Sequence, residues 1–371
     1  MQCNKVLYIV PPSRQFAGIE RVVHELSNGM SCLEKEFEIE VYYSSNYQEL
    51  KNEDVKYKFN MAGCLRIRDA FFSIAKFLRI NKYKLIVVAQ WEMTTLVFLL
   101  TRILGLNSSV ICHLHGNPWI EKSKSRINSF LYFFFKKIVA KRLVEIFCVS
   151  SSLANKMTEE LGTETVPISY LPNPVRKLRK DSAHFGQKKE FVTVGRLSYQ
   201  KGHDTLLRAF SKFVNLHPEA RLTVVGDGPL RKYLEDLTGK LNIRDNVLFT
   251  GFVSDPSQFL SHAKYFCFPS RWEGFGLALI EALQFDLYLI STDCDFGPAD
   301  IIKSDDVGVL SPVDDVDAFF NNMVKAYSDE FTGSEQRAKV VEKFSIGEVS
   351  RIHAENINRI LFGLKNEISS D

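Results

Sequence analysis

Residues 264–283 read KYFCFPSRWEGFGLALIEAL. The opening KYFCFPS is a short aromatic and apolar run closed by proline, the composition of a buried strand. From Leu277 onward, apolar residues form a short helical run. Between the two stand Gly274 and Gly276. Inside one continuous helix each glycine would cost about 1 kcal/mol relative to alanine, so they mark a turn from strand to helix. A strand that passes through a glycine loop into a helix is the building block of a parallel α/β sheet. Two carboxylates bracket the turn, Glu273 just before the glycines and Glu281 about one turn into the helix.

The same rhythm extends in both directions. FVTVG (191–195), RLTVVGDGP (221–229), NVLFTGF (246–252) and LYLIST (287–292) read as further strands. DTLLRAFSKF (204–213) and GPLRKYLEDLTGKL (228–241) read as helices among them. Upstream, KVLYIV (5–10), IEVYY (39–43), KLIVVAQ (84–90), SVICHLH (109–115) and IFCVS (146–150) repeat the pattern. IERVVHELSNGM (19–30) is helical by spacing, and a long helical stretch is expected up to about Leu143. LPNPVRKLRKDSAHFGQKKE (171–190) interrupts the rhythm with proline and charge and reads as a linker. A chain of 371 residues is too long for one ordinary core. The prediction is an α/β protein of two Rossmann-like, doubly wound parallel-sheet domains facing a cleft. Their bounds are 1–173 and 174–345, with a last helix at about 346–371 able to pack back on the first domain.

Composition narrows the function classes. The residues are 45% hydrophobic and 25% charged, and the net charge of +3 gives no argument for nucleic acid. Seven cysteines, scattered and without a C-x-x-C pair, read as reduced thiols in a cytoplasmic protein. The N-terminal MQCNKVLYIVPP lacks the length and the cleavage site of a signal peptide. No apolar run reaches the roughly 18 residues a spanning helix needs; the nearest, Thr94–Leu106, is broken by Arg102. Between Glu121 and Glu145 there is no carboxylate, while lysines and arginines surround the cluster FLYFFF at 130–135. RIRDAFFSIAKFLRINKYK (66–84) has the same character. Peripheral contact with the anionic inner face of a membrane is one reading; core helices with solvated basic ends are the other.

In open α/β sheets ligands bind beyond the carboxyl ends of the strands. At the first such junction, PPSRQFAGIER (11–21), Gly18 opens a helix and lets the backbone approach a phosphate. In VGRLSYQKGHD (194–204), Arg196 and Lys201 flank a loop ahead of a helix, where two cations oppose the helix dipole unless an anion sits between them. A solvated loop explains the same residues. VVGDGPL (224–230) resembles a dinucleotide fingerprint but has Arg231 where a third glycine is required. Gly-rich backbone at 274–276, at a positive helix end, suits a diphosphate, with Glu273 and Glu281 placed to accept from sugar and ribose hydroxyls. Asp293-Cys294-Asp295 is a D-x-D pattern able to hold a divalent cation through oxygen, but such matches arise often by chance. His113 and His115 alternate on one strand, with no third ligand near them in sequence. His113 reads as structural and His115 as the functional candidate.

These pieces together resemble the retaining glycosyltransferases of family 4, which have the GT-B fold. The resemblance rests on Arg196-LSYQ-Lys201-Gly202, GDGP at 226–229 and E273-GFGLALI-E281. It is strongest over Val192–Ile302 and reaches more loosely to AGIER (17–21) and HLHGN (113–117). It implies a nucleotide-sugar donor, with Arg196 and Lys201 on the diphosphate, Glu281 on the ribose and Glu273 on the donor sugar. Phe275, Gly276 and Leu277 would approach sugar and phosphate through their backbone, and Phe252 and Val253 would border the base. Gly18 would face the phosphate and His115 the sugar near the acceptor. It further implies transfer with retained configuration, no metal or other cofactor, and a glycan acceptor, lipid-linked by analogy. FGPADII (296–302) resembles an element of bacterial members that build surface polysaccharides, with Asp300 in place of Glu; that analogy favours a UDP-hexose or UDP-N-acetylhexosamine. The family often has two glycines where this chain has Ala17-Gly18. It commonly has a glycine soon after Glu281, where this chain has Gln284-Phe285-Asp286, a turn expected to lie away from the chemistry. A GT-B nucleotide-sugar epimerase and a non-catalytic nucleotide-sugar-binding protein are the alternatives.

Overall fold

The structure, a computed structural model, describes residues 4–16, 18–33, 36–179, 190–328 and 333–369. Internal contacts divide the chain into two compact units, Met1–Pro174 with Ser345–Asp371, and Val175–Phe344. Each is built on a parallel sheet.

The strands of the first unit are β1 (Asn4–Val10), β2 (Phe37–Tyr43), β3 (Lys58–Met61), β4 (Leu85–Ala89), β5 (Ser109–Leu114), β6 (Glu145–Cys148) and β7 (Ile168–Tyr170). They lie in the order β3-β2-β1-β4-β5-β6-β7, every neighbouring pair parallel. The second unit has β8 (Phe191–Val194), β9 (Leu222–Val225), β10 (Val247–Gly251), β11 (Tyr265–Phe268), β12 (Tyr288–Thr292) and β13 (Gly308–Ser311), in the order β10-β9-β8-β11-β12-β13. In each sheet the chain first winds outward to one side and then jumps back beside its starting strand. The reversal falls between β1 and β4 in one unit and between β8 and β11 in the other. At such a switch point the loops diverge to opposite faces and leave a crevice for a ligand.

The central strands were legible because both of their faces are buried, which makes them continuous apolar runs. β4 is buried along its whole length, as are β11 and β12. β3, β7 and β13 escaped the sequence reading. They are edge strands of three or four residues, and an edge strand has no need for a run of apolar side chains.

Two expectations need correction. The single long helix up to Leu143 is broken into Pro118–Ser123, Arg126–Phe134 and a π turn at Phe135–Val139. Asn117 accepts from the amides of Trp119 and Ile120, and Ser125 from that of Asn128, so each of the two α-helices opens on its own side-chain cap. The stretch 171–190 is not a solvated linker in its first half: residues 171–175 are all buried. Residues 180–189 of that stretch lie outside the described residues, as does Ala17. The last helix, Ile346–Ser369, packs on Ile19–Ser31 within the first unit.

Candidate functional site

At the switch point of the second unit, the loops after β8 and β11 bring Lys201 and Glu273 together. Lys201 Nζ donates to Glu273 Oε1 at 2.6 Å, and Glu273 is 7% exposed. The ammonium also lies 5.1 Å from the centre of the Phe268 ring, a favourable cation–π position. The amide of Glu273 donates to the carbonyl of Asp295 at 3.0 Å, so the loop is fixed on both its side chain and its backbone. Arg196, on the same loop as Lys201, is exposed; its carbonyl accepts from the Ser198 amide at 2.8 Å, while among the described residues its guanidinium has no hydrogen-bond or ion-pair partner. A paired carboxylate beside an uncommitted guanidinium is a site ready for an anion and for hydroxyls at once.

Arg271 holds this arrangement in register. It is 8% exposed and donates to both oxygens of Asp204 (3.0 and 2.9 Å), to Asp314 (2.8 and 3.1 Å) and to the Tyr199 carbonyl (2.6 Å). Burial raises the Asp204 carboxyl, but hydrogen bonds and charge from Arg271 outweigh it and hold the group below the usual carboxylate range. The turn carrying Lys201 is thereby tied to the loop carrying Glu273. Sequence reasoning passed over Arg271. The signal available was an arginine two residues before the glutamate.

The glycines of two loops serve close approach. A methyl group on Gly226 would fall 2.0 Å from the Gly195 carbonyl oxygen, so GDGP seats the loop that carries Arg196. A methyl on Gly297 would fall 1.8 Å from the carbonyl oxygen of Phe275, and its φ of 106° also excludes other residues. The FGP step therefore braces the Gly274–Gly276 turn from behind. Gly276, with φ 94°, caps helix Leu277–Leu283, and Phe275 is buried against Phe344 with ring centres 5.2 Å apart. Phe252 stands 72% exposed and Val253 is half-buried, both just beyond the end of β10.

Glu281 has a partner that the sequence did not suggest. Arg176 Nε donates to its Oε1 at 2.8 Å, and Arg176 Nη1 donates to the Ser254 carbonyl at 3.2 Å. Gln284 Nε2 donates to the Arg176 carbonyl, and its Oε1 accepts from the amide of Leu178. The turn after Glu281, expected to lie away from the chemistry, thus clamps the very segment that orients Glu281. Asp286 takes a positive φ of 63° there and is tied by the buried Arg337 at 2.6 Å.

Asp293 and Asp295 are exposed on either side of buried Cys294. Burial first, and then the Glu273 carboxylate, push the Cys294 thiol up to about 12. Among the described residues no group of three or more His, Cys, Asp or Glu side chains is placed to hold a metal ion.

In the first unit, Gly18 caps helix Ile19–Ser31 with φ 55° and faces open space. His115 follows β5 and sits against His113, ring centres 4.0 Å apart. The expectation that no third histidine is near holds only along the chain. His353, from the last helix, lies 5.5 Å from His113, and its Nε2–H donates to the Pro172 carbonyl at 3.1 Å. Burial, then the charge of His353, push the His115 ring down to about 3; burial pushes His353 down to about 4 and His113 in the same direction. Both ring nitrogens of His113 and of His115, with Asn173 Oδ1, are buried without a hydrogen-bond partner among the described residues. Gln90, at the end of β4, adds a strained φ of 73°, the kind of outlier that gathers at ligand sites.

Comparison with known proteins fits both units. Residues 16–177 match the model of Glycosyltransferase Family 4, and residues 174–344 match that of Glycosyl transferases group 1. The chain belongs to the glycosyltransferases of GT-B type. An uncharacterized glycosyltransferase of Methanocaldococcus jannaschii is 33% identical over 220 residues, 56% of this chain and 54% of that one. The UDP-Gal:alpha-D-GlcNAc-diphosphoundecaprenol alpha-1,3-galactosyltransferase of Escherichia coli is 26% identical over 296 residues, 75% of this chain and 76% of that one. The chain thus spans about half the first relative and three quarters of the second. Among solved structures, Anabaena HepE in complex with UDP-glucose superposes with a TM-score of 0.77 at 15% identity, covering 96% of this chain and 99% of that one. That likeness establishes the fold of this glycosyltransferase.

Proposed function

We propose that this glycosyltransferase moves a hexosyl or N-acetylhexosaminyl unit from a UDP-sugar to a lipid-linked glycan, with retention at the anomeric carbon, in the synthesis of a bacterial surface polysaccharide such as O-antigen or lipopolysaccharide. The observation that carries the reading is the Lys201–Glu273 pair at the switch point, beside an exposed Arg196. The name of the E. coli relative supports a UDP donor and a diphospho-lipid acceptor.

The bond between the anomeric carbon and the phosphate oxygen breaks as the acceptor oxygen bonds to the same face. The acceptor proton leaves to the departing phosphate oxygen. Charge builds on that phosphate, and Arg196 and Lys201 stabilise it where it grows. Glu273 holds the donor sugar hydroxyls while keeping Lys201 in place, and Glu281, steadied by Arg176, holds the ribose. Phe275, Gly276 and Leu277 supply backbone contacts, Phe252 and Val253 the border of the base, and Gly18 a close approach to the phosphate. His115, neutral at working pH, offers a hydrogen bond to the sugar near the acceptor. No step calls for a metal or other cofactor. The expected place of the enzyme is the cytoplasm, at the inner membrane face.

A panel of UDP- and GDP-sugars tests the donor through hydrolysis without acceptor. Hydrolysis of a UDP-hexose or UDP-N-acetylhexosamine is expected, and activity on GDP-sugars alone would overturn the donor. Release of a free epimerised sugar would overturn the transferase. An inverted anomer in the product would overturn retention.

A further inference from the structure

In the first unit, three neighbouring helices are apolar where a solvated surface is normally polar. Helix Trp91–Ile103 turns Leu96, Leu99 and Ile103 outward at i, i+3 and i+7, with Ile103 72% exposed. Helix Ile67–Ile80 packs on one flank and exposes Phe72 and Ile80. Helix Arg126–Phe134 packs on the other and exposes Ile127, Phe130 and Phe133. Nine of the sixteen exposed large apolar side chains among the described residues fall between residues 65 and 138, so this is a patch and not scatter.

The same region is strongly basic. Residues 65–142 carry fourteen lysines and arginines against three carboxylates, and of these Glu92 and Glu121 are half-buried, leaving Asp69 exposed. Where the central helix meets the π turn, Phe98, Arg102, Ile138 and Arg142 line a groove of about 560 Å³. Arg102 lies over the Phe98 ring at 5.0 Å, and Arg142 Nη1 donates to the Ile138 carbonyl at 3.0 Å. Two guanidiniums above two apolar walls match the phosphate and the upper acyl carbons of a phospholipid.

We propose that this three-helix face docks on an anionic bilayer. The Arg102–Arg142 groove takes a phospholipid phosphate, and Phe72, Ile103, Phe130 and Phe133 enter the boundary between headgroups and acyl chains. The sequence supplied the two outer stretches. The structure adds the central helix that joins them and the groove that fixes an orientation. A second copy of the chain is a poor occupant, because a self-complementary contact would set cations against cations. The proposal deepens the lipid-linked reading and rests on it for the purpose of docking, not for its physics.

Flotation of the full chain with vesicles of phosphatidylcholine, with and without phosphatidylglycerol, tests it. Binding to the anionic vesicles is expected, weakening as salt rises. Arg102→Gln with Arg142→Gln is expected to weaken it about 30-fold, from roughly a factor of five per arginine at an anionic surface. Phe130→Ser with Phe133→Ser is expected to leave a residual binding that salt fully reverses. Both double variants change exposed side chains and are expected to keep the wild-type melting temperature and UDP-sugar hydrolysis. No binding to anionic vesicles at low salt, equal binding to both vesicles, or release by inorganic phosphate would each overturn the proposal. So would self-association that both variants abolish. If vesicle binding holds while the acceptor proves to be a water-soluble glycan, the acceptor reading fails and the docking face stands.

Discussion

The two sheets share one winding and differ in what they place at its reversal. The second unit sets charge there: Lys201 against Glu273, Arg271 among Asp204, Asp314 and the Tyr199 carbonyl. The first unit sets neutral, buried rings one strand further on, at the end of β5: His113, His115 and His353, with ring nitrogens that have no hydrogen-bond partner among the described residues. One topology can therefore be furnished to bind an anion or to present uncharged hydrogen-bonding groups. The difference lies in a few loop residues and in one helix from the far end of the chain.

The widest separation between the units is expected in acid. The three clustered histidines of the first unit, His113, His115 and His353, have folded pKa values below their ordinary 6.5, and burial lowers His24 of the same unit as well, so the unfolded chain binds protons that the fold refuses. Their contribution is complete above about pH 6.5 and is lost as pH falls toward 4. The slope is about 1.4 kcal/mol per pH unit for each ring, or about 4 for three. Among the described residues the second unit has one such ring, His203, pushed down to about 3 by burial. Hydrogen exchange followed by mass spectrometry between pH 7 and pH 5 should open the first unit first, and His353→Gln should reduce the share of its slope that comes from the three-ring cluster by about a third. If both units open together, buried histidine is not what distinguishes them.

Next comes the charged pair. Lys201→Ala should lower transfer by 10²- to 10³-fold, the usual loss for one group that stabilises developing charge. Adding Glu273→Ala should cost less than the two single losses combined, because the side chains touch. Additive losses in kcat would show that the pair does not act as a unit.

A smaller effect is expected at Gly297. Replacement by alanine sets a methyl into the Phe275 carbonyl and should destabilise the second unit by about 1–3 kcal/mol, with a raised donor KM as the Gly274–Gly276 turn shifts. A wild-type melting temperature and KM would remove the brace from the account. The least effect is expected from a chelator or from Asp293→Asn, each leaving transfer unchanged. Loss of transfer restored by Mg2+ or Mn2+ would make the D-x-D pair a metal site.

The division between what was legible and what was not follows sequence distance. Local composition carried the strand–loop–helix rhythm, because buried parallel strands must be apolar on both faces and glycine must stand where a helix cannot begin earlier. It also marked Arg196, Lys201, Glu273 and Glu281, which stand within short loops of recognisable composition. Their partners come from segments far away in the chain. Arg176 lies 105 residues from Glu281, and His353 lies 181 residues from Pro172; no local pattern announces such a meeting. The same holds for Gln284, whose amide reads as a surface residue until the segment at 176–178 is seen to lie against it. Local sequence fixes the elements through burial and backbone freedom. The partners of polar groups are fixed by which distant segments a packed core brings within hydrogen-bonding reach.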